Sequence, residues 1–518
     1  MYLTQSLKRA ISIQPKGLAT AFQDRERNWT EVGQRVAKLA GGLHGLGLER
    51  GDRVAILALN SDRYLEFMYA VPWAGMVMVP LNTRLAGPEV DYILEDSGTR
   101  ALFVDQALAP LLEGLTDRLK NIKLIALDDG QQTAGAIGYE DLIVRSQPVE
   151  DALVGGNEMA GLFYTGGTTG KSKGVMLSHD NLMANAMIAI AGMRFEPDTF
   201  YLHSAPMFHL ADGASTFGVT MAGGSHAFVP RFEPVAVLGT IQQRRITNGQ
   251  FVPTMINMLV NHPRIKEFDI STLKFVIYGA SPMPEGVLLK ALEVMPDCAL
   301  MHGYGMTEAS PIVTLLPTRY TTLDGSYAGR IKSCGQPAHT VEVKIVDEDR
   351  NEVPFGTRGE LAIRGPNIML GYWNKPQETA AVLVDGWYYS GDAGYMDAEG
   401  FVFIVDRLKD MIISGGENIY SAEVEDAVSK MPQVAEVAVI GVPDEKWGER
   451  VHAVVVPRAG HKVTAEEVIA HCPKFIANYK CPRSVELRTE TLPLSGAGKI
   501  LKTVLREPYW RGRTKGVN

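Results

Sequence analysis

The sequence predicts an α/β fold, in which a large N-terminal domain of parallel sheets covered by helices is followed by a smaller α+β domain. Three observations lead to this prediction: the length of 518 residues, an alternation of helical and strand patterns over most of the chain, and a change of pattern after residues 401–410. Single hydrophobic cores stop growing at about 250–300 residues, so a chain of this length divides into domains.

The N-terminal part begins with an amphipathic helix. Four apolar residues recur at helical spacing over residues 32–43, and Thr30 is the expected N-cap. Short apolar runs that follow are typical of buried strands, and helical stretches separate them. Such βα alternation favours parallel sheets with helices on their faces. These strands are expected at 51–59, 99–105 and 123–128.

Two later stretches have different patterns. Residues 341–365 alternate apolar and polar side chains, with turn signals between them, which predicts a distorted antiparallel barrel. After residue 410 the sequence predicts a compact α+β unit, with a helix from Ser421, strands at 434–442 and 451–457, and a capping box at Thr464 and Glu467. We therefore place a domain boundary near residues 406–410, between segments 1–405 and 411–518.

Charge and cysteine content restrict the partners and the compartment. The net charge is −8, the pI is about 5.8 and no half of the chain is basic, which argues against a nucleic-acid surface but not against small anions. The four cysteines are scattered, as expected in a reducing compartment. Without a signal peptide or a spanning apolar run, we expect a soluble cytoplasmic protein. A peripheral membrane contact and a homodimer are both compatible with this composition.

A glycine-rich stretch at residues 165–174, TGGTTGKSKG, resembles a phosphate-binding P-loop, except that Thr165 stands where the first glycine is required. Glycines free backbone N–H groups to face an anion, while threonine hydroxyls and lysines add donors and charge. The helical pattern resumes only at Ser178, whereas the helix of a P-loop starts at its Lys-Ser pair. A flexible surface loop and a P-loop NTPase remain alternatives. The stretch contains Thr165, Gly166, Gly167, Thr168, Thr169, Gly170, Lys171 and Lys173.

Five motifs in order carry a family resemblance. They are YTGGTTGKSKG at 164–174, HGYGMTE at 302–308, YSGD at 389–392, DRLKDMIISGGENI at 406–419 and PLSGAGK at 493–499. With this order and spacing, the chain resembles the adenylate-forming superfamily of acyl-CoA synthetases, luciferases and peptide-synthetase adenylation domains. The resemblance extends from about residue 10 to the C-terminus. It is strongest to fatty-acyl- and aryl-CoA ligases.

The resemblance implies a two-step reaction that uses ATP, Mg²⁺ and CoA. A carboxylate attacks the α-phosphorus of ATP, pyrophosphate leaves, and a thiol then attacks the acyl-adenylate. The expected acid is hydrophobic, either a medium- or long-chain fatty acid or an aryl acid. The implied catalytic residues are Lys499, Thr307 and Glu308, and the implied magnesium ligands are Thr165 and Glu308. The implied nucleotide contacts are residues 165–170, Lys173, Gly279, Ala280, Ser281, Gly303, Tyr304, Asp392 and Arg407.

Four of these residues suit their implied roles, and three of them have a simpler alternative, which for Glu308 is a solvated glutamate at a helix start. The ring of Tyr304 can lie against a purine, and Glu308 can hold Mg²⁺ together with phosphate oxygens. Asp392 can accept hydrogen bonds from two ribose hydroxyls, or it can stabilise a turn. Arg407 can bind ribose or phosphate, or it can form a local ion pair with Asp406.

The C-terminal motifs imply a mobile domain. By resemblance, Lys499 neutralises charge on the carboxylate and α-phosphate during adenylation, which is electrostatic stabilisation of a developing anion. The domain then rotates about Lys409, the matching hinge position within 406–410, and the loop with Gly415 and Gly416 admits the pantetheine arm of CoA. A lysine near a C-terminus is otherwise a solubilising residue.

The acid-binding residues are the least defined. The resemblance places His209 and Gly305 at the acyl pocket, and amino-acid-activating relatives carry Asp where His209 stands, which argues against an α-amino acid. A structural histidine is the alternative. Asp212 is expected to be a helix N-cap or a polar contact in the acyl tunnel. Ser172 replaces the proline usual in the family loop, which removes a backbone restraint but no phosphate donor.

Two other functions stay open besides the P-loop NTPase. A carrier-dependent adenylating enzyme would need a separate partner, because the stretch after Lys499 is too short for a carrier domain. A non-catalytic nucleotide-binding protein is the other alternative. Such a protein would not need the family's catalytic residues, all of which are present in this sequence. The products distinguish these functions, because an adenylating enzyme releases AMP and pyrophosphate only with an added acid.

Overall fold

The structure is a computed structural model that describes residues 1–129, 135–165, 172–280, 283, 285–322, 325–407, 410–414, 417–444, 446–495 and 499–511. The chain forms two compact units. The larger unit contains Met1–Glu342 and Ile363–Tyr388, and the smaller unit contains Val343–Ala362 and Tyr389–Asn518. Each unit is therefore built from two separate segments of the chain.

The strands share the short lengths typical of α/β proteins. In chain order they are β1 (Leu18–Phe22), β2 (Arg25–Asn28), β3 (Arg53–Leu57), β4 (Val77–Pro80), β5 (Thr99–Val104), β6 (Lys123–Ala126), β7 (Ile137–Gly138), β8 (Met159–Thr165), β9 (Lys173–Ser178), β10 (Phe200–His203), β11 (Ser225–Phe228), β12 (Asn248–Phe251), β13 (Phe275–Gly279), β14 (Ala299–Gly305), β15 (Ile312–Leu316), β16 (Gln336–Pro337), β17 (Glu342–Val346), β18 (Gly359–Arg364), β19 (Gly371–Tyr372), β20 (Leu383–Val384), β21 (Trp387–Met396), β22 (Val402–Arg407), β23 (Ile412–Ser414), β24 (Glu417–Ile419), β25 (Val434–Asp444), β26 (Gly448–Pro457) and β27 (Ser484–Leu487).

The α-helices alternate with these strands. They are α1 (Thr4–Ile13), α2 (Trp29–Gly45), α3 (Asp62–Trp73), α4 (Gly87–Ser97), α5 (Thr116–Leu119), α6 (Tyr139–Arg145), α7 (His179–Met193), α8 (Leu210–Gly213), α9 (Ser215–Ala222), α10 (Pro234–Arg244), α11 (Pro253–Val260), α12 (Glu285–Val294), α13 (Pro376–Val382), α14 (Ser421–Ser429), α15 (Ala465–His471) and α16 (Lys502–Trp510).

Two large mixed sheets form most of the larger unit. One has the order β19-β9-β8-β4-β3-β5-β6-β7, and its interior pairs from β8 to β7 are parallel. The other has the order β16-β15-β14-β13-β12-β10-β11-β1-β2, with parallel pairing from β14 to β1. Antiparallel strands lie only toward sheet edges. The strands predicted at 51–59, 99–105 and 123–128 are confirmed as β3, β5 and β6, and the predicted fold class is confirmed.

Helix α2 forms as predicted, but its cap differs. The apolar residues at helical spacing over 32–43 are fully buried. The N-cap is Asn28 and not Thr30: Asn28 Oδ1 accepts from the Glu31 N–H at 2.9 Å, and Glu31 Oε2 accepts from the Asn28 N–H at 2.8 Å. This reciprocal capping box satisfies two backbone donors at the helix start. Thr30 lies inside the first turn and donates its hydroxyl to Pro15 O instead.

A five-stranded sheet accounts for the predicted antiparallel stretch. Its order is β17-β18-β21-β20, and β22 also pairs with β21. Strands β20, β21 and β22 pair antiparallel. The turn after β17 closes where the Asp347 N–H donates to Asn351 O at 2.9 Å. The alternating pattern of 341–365 thus corresponds to β17 and β18.

The C-terminal residues form the α+β arrangement expected from their pattern. Their sheet has the order β24-β23-β26-β25, with β27 parallel to β26. Helices α14 and α15 pack apolar residues against this sheet in a buried core. The predicted helix from Ser421 is confirmed as α14, and the Thr464–Glu467 capping box is present at the start of α15.

The described ranges contain neither a membrane-spanning helix nor a disulfide. None of the helices found there is both long enough and apolar enough to cross a membrane. The four cysteine residues are buried, and no disulfide joins any of them in the described part of the chain.

Candidate active site

The glycine-rich stretch connects two antiparallel strands. Strands β8 and β9 pair so that Thr165 lies opposite Lys173, and we call this unit the β8–β9 hairpin. Helix α7 begins only after β9, with Ser178 as its N-cap. A P-loop joins a strand directly to a helix, so this connection does not support the P-loop alternative. Gly166, Gly167, Thr168, Thr169, Gly170 and Lys171 lie outside the described residues.

The side chain of Tyr372 contacts both the β8–β9 hairpin and Glu308. Strand β19 pairs with β9 and places Tyr372 opposite Val175. The Lys173 Nζ lies 5.1 Å from the centroid of the Tyr372 ring, within the range of a cation–π contact. The Tyr372 hydroxyl donates to Glu308 Oε1 at 2.9 Å. Of the predicted phosphate and metal residues, Thr165, Lys173 and Glu308 are therefore gathered in one region of the larger unit.

The Tyr372 hydroxyl remains a donor throughout the ordinary pH range. Burial raises the pKa of Tyr372, and the negative charge of Glu308 and the hydrogen bond to it raise that pKa further. Tyr372 is 8% exposed. Nothing in the sequence marked this residue, because its link to Glu308 spans 64 positions of the chain.

The backbone around Glu308 is held by buried polar contacts. Glu308 lies in a 3₁₀ turn, Thr307–Ala309, and its carbonyl oxygen accepts from the Met369 N–H at 2.9 Å. The fully buried Asn367 donates to Ala309 O and Ile312 O, each at 2.8 Å. These bonds fix the predicted catalytic residues Thr307 and Glu308 in position.

The Glu308 region suits a magnesium ion whose other ligands come from a substrate. Tyr372 occupies Oε1, which leaves Oε2 to face a cation. In the described part of the chain, no cluster of three or more His, Cys, Asp or Glu residues could hold a metal alone. Mg²⁺ commonly binds through one or two carboxylates together with phosphate oxygens and water, which fits this donor set. The Thr165 hydroxyl is the second predicted ligand, at the end of β8.

The glycines of the nucleotide motifs permit two neighbouring strand ends to approach closely. Gly279 at the end of β13 lies opposite Gly303 of β14, and a Cβ on Gly279 would clash with Gly303 O. A Cβ on Gly305 would clash with Pro311 O. Ala280 follows β13 with a φ of +68°, and Tyr304 lies between the two β14 glycines. The carboxyl ends of parallel strands are the usual ligand-binding edge of such sheets. Ser281 lies outside the described residues.

His209 is the N-cap of the short helix α8. Its Nδ1 accepts from the Ala211 N–H at 3.2 Å, and its side chain is half-buried. In a neutral imidazole whose Nδ1 accepts, the proton is on Nε2. The structural role expected as an alternative is therefore present at His209.

Asp212 belongs to a buried polar chain, so its predicted role as an N-cap is wrong. It is the third residue of α8, and it accepts from the Tyr201 hydroxyl at 3.0 Å and pairs with His203 Nδ1 at 2.7 Å. His203 Nε2 lies 3.0 Å from His226 Nδ1, and His226 Nε2 lies 3.0 Å from Thr220 Oγ1. Burial and the neighbouring His203 lower the pKa of His226. Sequence patterns do not predict these linked side chains, because they come from separate elements.

In the smaller unit, Asp392 and Arg407 lie opposite each other on β21 and β22. Asp392 is buried, and its N–H donates to Ser390 Oγ at 3.1 Å. Burial raises the pKa of Glu360, and the nearby Asp392 charge adds to this rise. Asp392 and Glu360 are neighbouring acidic side chains with little exposure. Such a pair favours a ligand that donates hydrogen bonds, as ribose hydroxyls do.

Asp406 caps helix α14. Its Oδ2 accepts from the Ser421 hydroxyl at 2.7 Å and also from the Ser421 N–H. A role for Asp406 as the local ion-pair partner of Arg407 is thus not needed to explain its position. The neighbouring hinge residue Lys409 and the predicted CoA-loop residues Gly415 and Gly416 lie outside the described residues.

Lys499 is hydrogen-bonded to Ser495. The Ser495 N–H donates to Lys499 O at 2.6 Å, and the Lys499 N–H donates to Ser495 Oγ at 3.1 Å. Leu494 and Ile500 form an antiparallel bridge beside them. Ser495 and Lys499 are therefore held next to each other, ahead of helix α16.

Comparisons with known proteins identify the family of the chain. The family model described as AMP-binding enzyme matches residues 7–373, and that of the AMP-binding enzyme C-terminal domain matches residues 423–499. The chain is 39% identical over 506 residues to a feruloyl-CoA synthase from Amycolatopsis sp, covering 97% of this chain and 98% of the relative. It is 36% identical over 510 residues to an indoleacetate–CoA ligase from Aromatoleum aromaticum, covering 98% of each.

A solved structure shows the same fold. The ATP-bound crystal structure of MatB from Rhodopseudomonas palustris matches with a TM-score of 0.88 and 31% identity, covering 98% of this chain and 99% of that one. The family models, the relatives and the fold agree on an ATP-dependent acid–thiol ligase with CoA as a substrate. The chain therefore belongs to the AMP-binding enzyme family, as an acyl- or aryl-CoA ligase of the adenylate-forming superfamily.

Proposed function

We propose that this protein activates an aromatic carboxylic acid as its acyl-adenylate and transfers the acyl group to CoA. The observation that carries the phosphate chemistry is the arrangement of Lys173, Tyr372 and Glu308 beside the β8–β9 hairpin. The two relatives named for ferulate and indoleacetate support an aromatic acid over a fatty acid.

The first step makes the acid reactive. A carboxylate oxygen of the acid attacks the α-phosphorus of ATP, and the bond to the bridging oxygen of pyrophosphate breaks. Lys173 and the hairpin backbone hold the departing pyrophosphate, while Lys499 neutralises negative charge on the carboxylate and the α-phosphate. Most of the rate enhancement in such a transfer comes from positioning and charge stabilisation.

When bound, Mg²⁺ would supply positive charge that neutralises the phosphates. Glu308 and Thr165 are the residues of this chain that would hold it, and Tyr372 orients the Glu308 carboxylate. In the second step the CoA sulfur attacks the acyl carbon and AMP leaves. We assign the adenosine contacts to Gly279, Tyr304 and Asp392; Gly279 and Tyr304 lie at the ends of the paired strands β13 and β14.

The acid site follows from the same elements. The half-buried His209 carries no negative charge, so it offers no ion-pair partner to an α-ammonium group. We assign His209 and Gly305 to the walls of the acyl pocket. We assign the moving part to the segment from residue 411 onward, with its hinge at 406–410, and buried cysteines without disulfides fit a cytoplasmic enzyme.

The test is pyrophosphate release measured over a panel of acids, with and without CoA. Hydroxycinnamates, indole-3-acetate, benzoates and fatty acids of several lengths form the panel, and an α-amino acid is the negative control. We expect acid-dependent pyrophosphate and AMP, with the highest kcat/KM for an aromatic acid and an acyl-CoA product. A higher kcat/KM for fatty acids would refute the substrate class. Acyl transfer to a carrier protein but not to CoA would refute the acceptor.

A further inference from the structure

We propose that Tyr372 is a positioning residue that keeps the Lys173 ammonium and the Glu308 carboxylate in place and apart. The inference rests on the proposed function, because it assigns the lysine to the phosphates and the carboxylate to a divalent cation. Tyr372 itself reaches neither the acid nor the acyl carbon in this account. Its effect is exerted through the two charged groups that it contacts.

The hydroxyl holds Glu308. It donates to Oε1 at 2.9 Å, and Tyr372 is almost completely buried. Hydrogen bonds to charged groups in such surroundings are stronger than bonds between neutral groups. The bond fixes the orientation of the carboxylate and directs Oε2 toward a cation. Partners that hydrogen-bond a metal ligand in this way set both its direction and its affinity for the metal.

The ring holds Lys173. Its Nζ lies 5.1 Å from the ring centroid, where the negative face of an aromatic ring attracts a cation. Among the ion pairs of the described residues, none joins Lys173 to Glu308. Opposite charges that are free to approach would neutralise each other. With one ring between them, the ammonium stays available to phosphate and the carboxylate to a cation.

The position of the ring is fixed by backbone contacts that do not involve the side chain. Tyr372 pairs with Val175 across β19 and β9, and its N–H donates to Thr379 Oγ1 at 2.9 Å. Gly371 has a φ of +139°, and a Cβ there would lie 2.7 Å from Thr379 Cγ2. A phenylalanine at 372 should therefore place its ring where the tyrosine ring lies.

The test compares nucleotide binding of Y372F, Y372L and the wild type by titration calorimetry. Y372F should weaken binding of Mg·ATP by about tenfold, the lower end of the effect of losing a metal ligand's hydrogen-bond partner. Y372L should weaken binding of Mg·ATP roughly threefold more than Y372F does, because the cation–π contact also disappears. AMP, which has no β- or γ-phosphate, should bind all three proteins within about twofold, since the contacts removed concern only the outer phosphates and the metal.

Tyr139 provides a matched control in the same unit. Its hydroxyl donates to Glu66 Oε2 at 2.6 Å, and the Arg63 guanidinium lies 5.2 Å from its ring. Y139F removes the same kind of buried hydroxyl–carboxylate bond and should lower the melting temperature without changing Mg·ATP affinity. If Y372F behaves like Y139F, with lower stability and unchanged Mg·ATP affinity, Tyr372 is merely structural and the proposal is wrong.

A double variant keeps the test valid if Y372F folds poorly. Losing the hydroxyl leaves a half-buried carboxylate without its donor, and E308Q removes that charge. The E308Q/Y372F protein should fold and bind Mg·ATP as weakly as E308Q alone, because the hydroxyl acts through the carboxylate. Additive losses in the double variant would contradict the proposal.

The same data separate this inference from the proposed function. A wild-type protein that binds Mg·ATP yet consumes no acid refutes the proposed function, while the comparison of Y372F with Y139F still decides the role of Tyr372. A wild-type protein that does not bind Mg·ATP overturns both.

Discussion

Replacing Lys502 with methionine tests the electrostatic core of the smaller unit. The Lys502 ammonium lies 2.7 Å from Glu425 Oε1 and 2.5 Å from Ser421 Oγ. The side chains of Lys502 and Glu425 are only 14% and 22% exposed. Ser421 in turn donates to Asp406, so this lysine supports the cap of helix α14. Helix α16 begins at Lys502, three positions after Lys499.

The expected loss follows from the burial of both charges. Removing one partner of a buried pair costs about 3–5 kcal/mol, because the other charge remains without compensation. Methionine retains most of the apolar stem of Lys502, and Glu425 is partly exposed. We therefore expect K502M to lower the free energy of unfolding by about 3 kcal/mol.

The loss should depend on pH with a definite sign. Burial raises the pKa of Glu425, and Lys502 is the group that most opposes this rise. Without Lys502 the pKa in the folded state rises further above the unfolded value of about 4.3. An acid whose folded pKa is raised binds more protons when folded, so stability falls as pH increases through that interval. K502M should therefore recover stability relative to wild type as the pH falls toward the unfolded pKa of Glu425.

Urea unfolding at a series of pH values measures this effect. The control is K502M/E425Q, in which position 425 carries no charge that has lost its lysine, and it should recover most of the lost stability at neutral pH. The reasoning is refuted if K502M loses less than about 1 kcal/mol, as exposed pairs do. It is equally refuted if the double variant is as unstable as K502M.

Three further predictions concern the site and the fold. K499A should suppress adenylate formation but spare thioesterification of a supplied acyl-adenylate, and equal losses in both half-reactions would contradict the role assigned to Lys499. G305A should abolish adenylation, because its Cβ would clash with the Pro311 carbonyl oxygen, and an active G305A with wild-type melting temperature would contradict this. Burial alone would raise the pKa of Asp62, but its hydrogen bond to Arg25 and the charge of Arg25 lower it overall. Its stabilising effect is therefore present above its unfolded pKa of about 3.9 and is lost as the pH falls through its folded pKa, so wild type should lose more stability on acidification than D62N in urea unfolding.

The sequence was sufficient where one local rule decides the structure. Buried apolar runs predicted β3, β5 and β6, since a strand buried on both faces needs little else. The Thr464–Glu467 capping box was also correct, because its partners are three residues apart. The same kind of rule failed for Thr30. Asn28 and Thr30 both suit an N-cap, and the reciprocal bond with Glu31 selects Asn28.

Contacts between distant segments could not be predicted. The role of Tyr372 depends on β19 pairing with β9, which places it against Lys173 and Glu308. Asp212 was expected to be a helix N-cap or a polar contact in the acyl tunnel. Its carboxylate instead binds His203, which lies on strand β10. A local pattern does not specify partners of this kind.

The position of bond cleavage is the central claim, and isotope transfer tests it most directly. The protein is incubated with ATP, Mg²⁺, CoA and an aromatic acid labelled with ¹⁸O in its carboxylate, and the products are analysed by mass spectrometry. Attack of the carboxylate on the α-phosphorus predicts that one ¹⁸O atom appears in AMP and none in pyrophosphate. ADP and phosphate as products, or AMP without the label, would contradict the account.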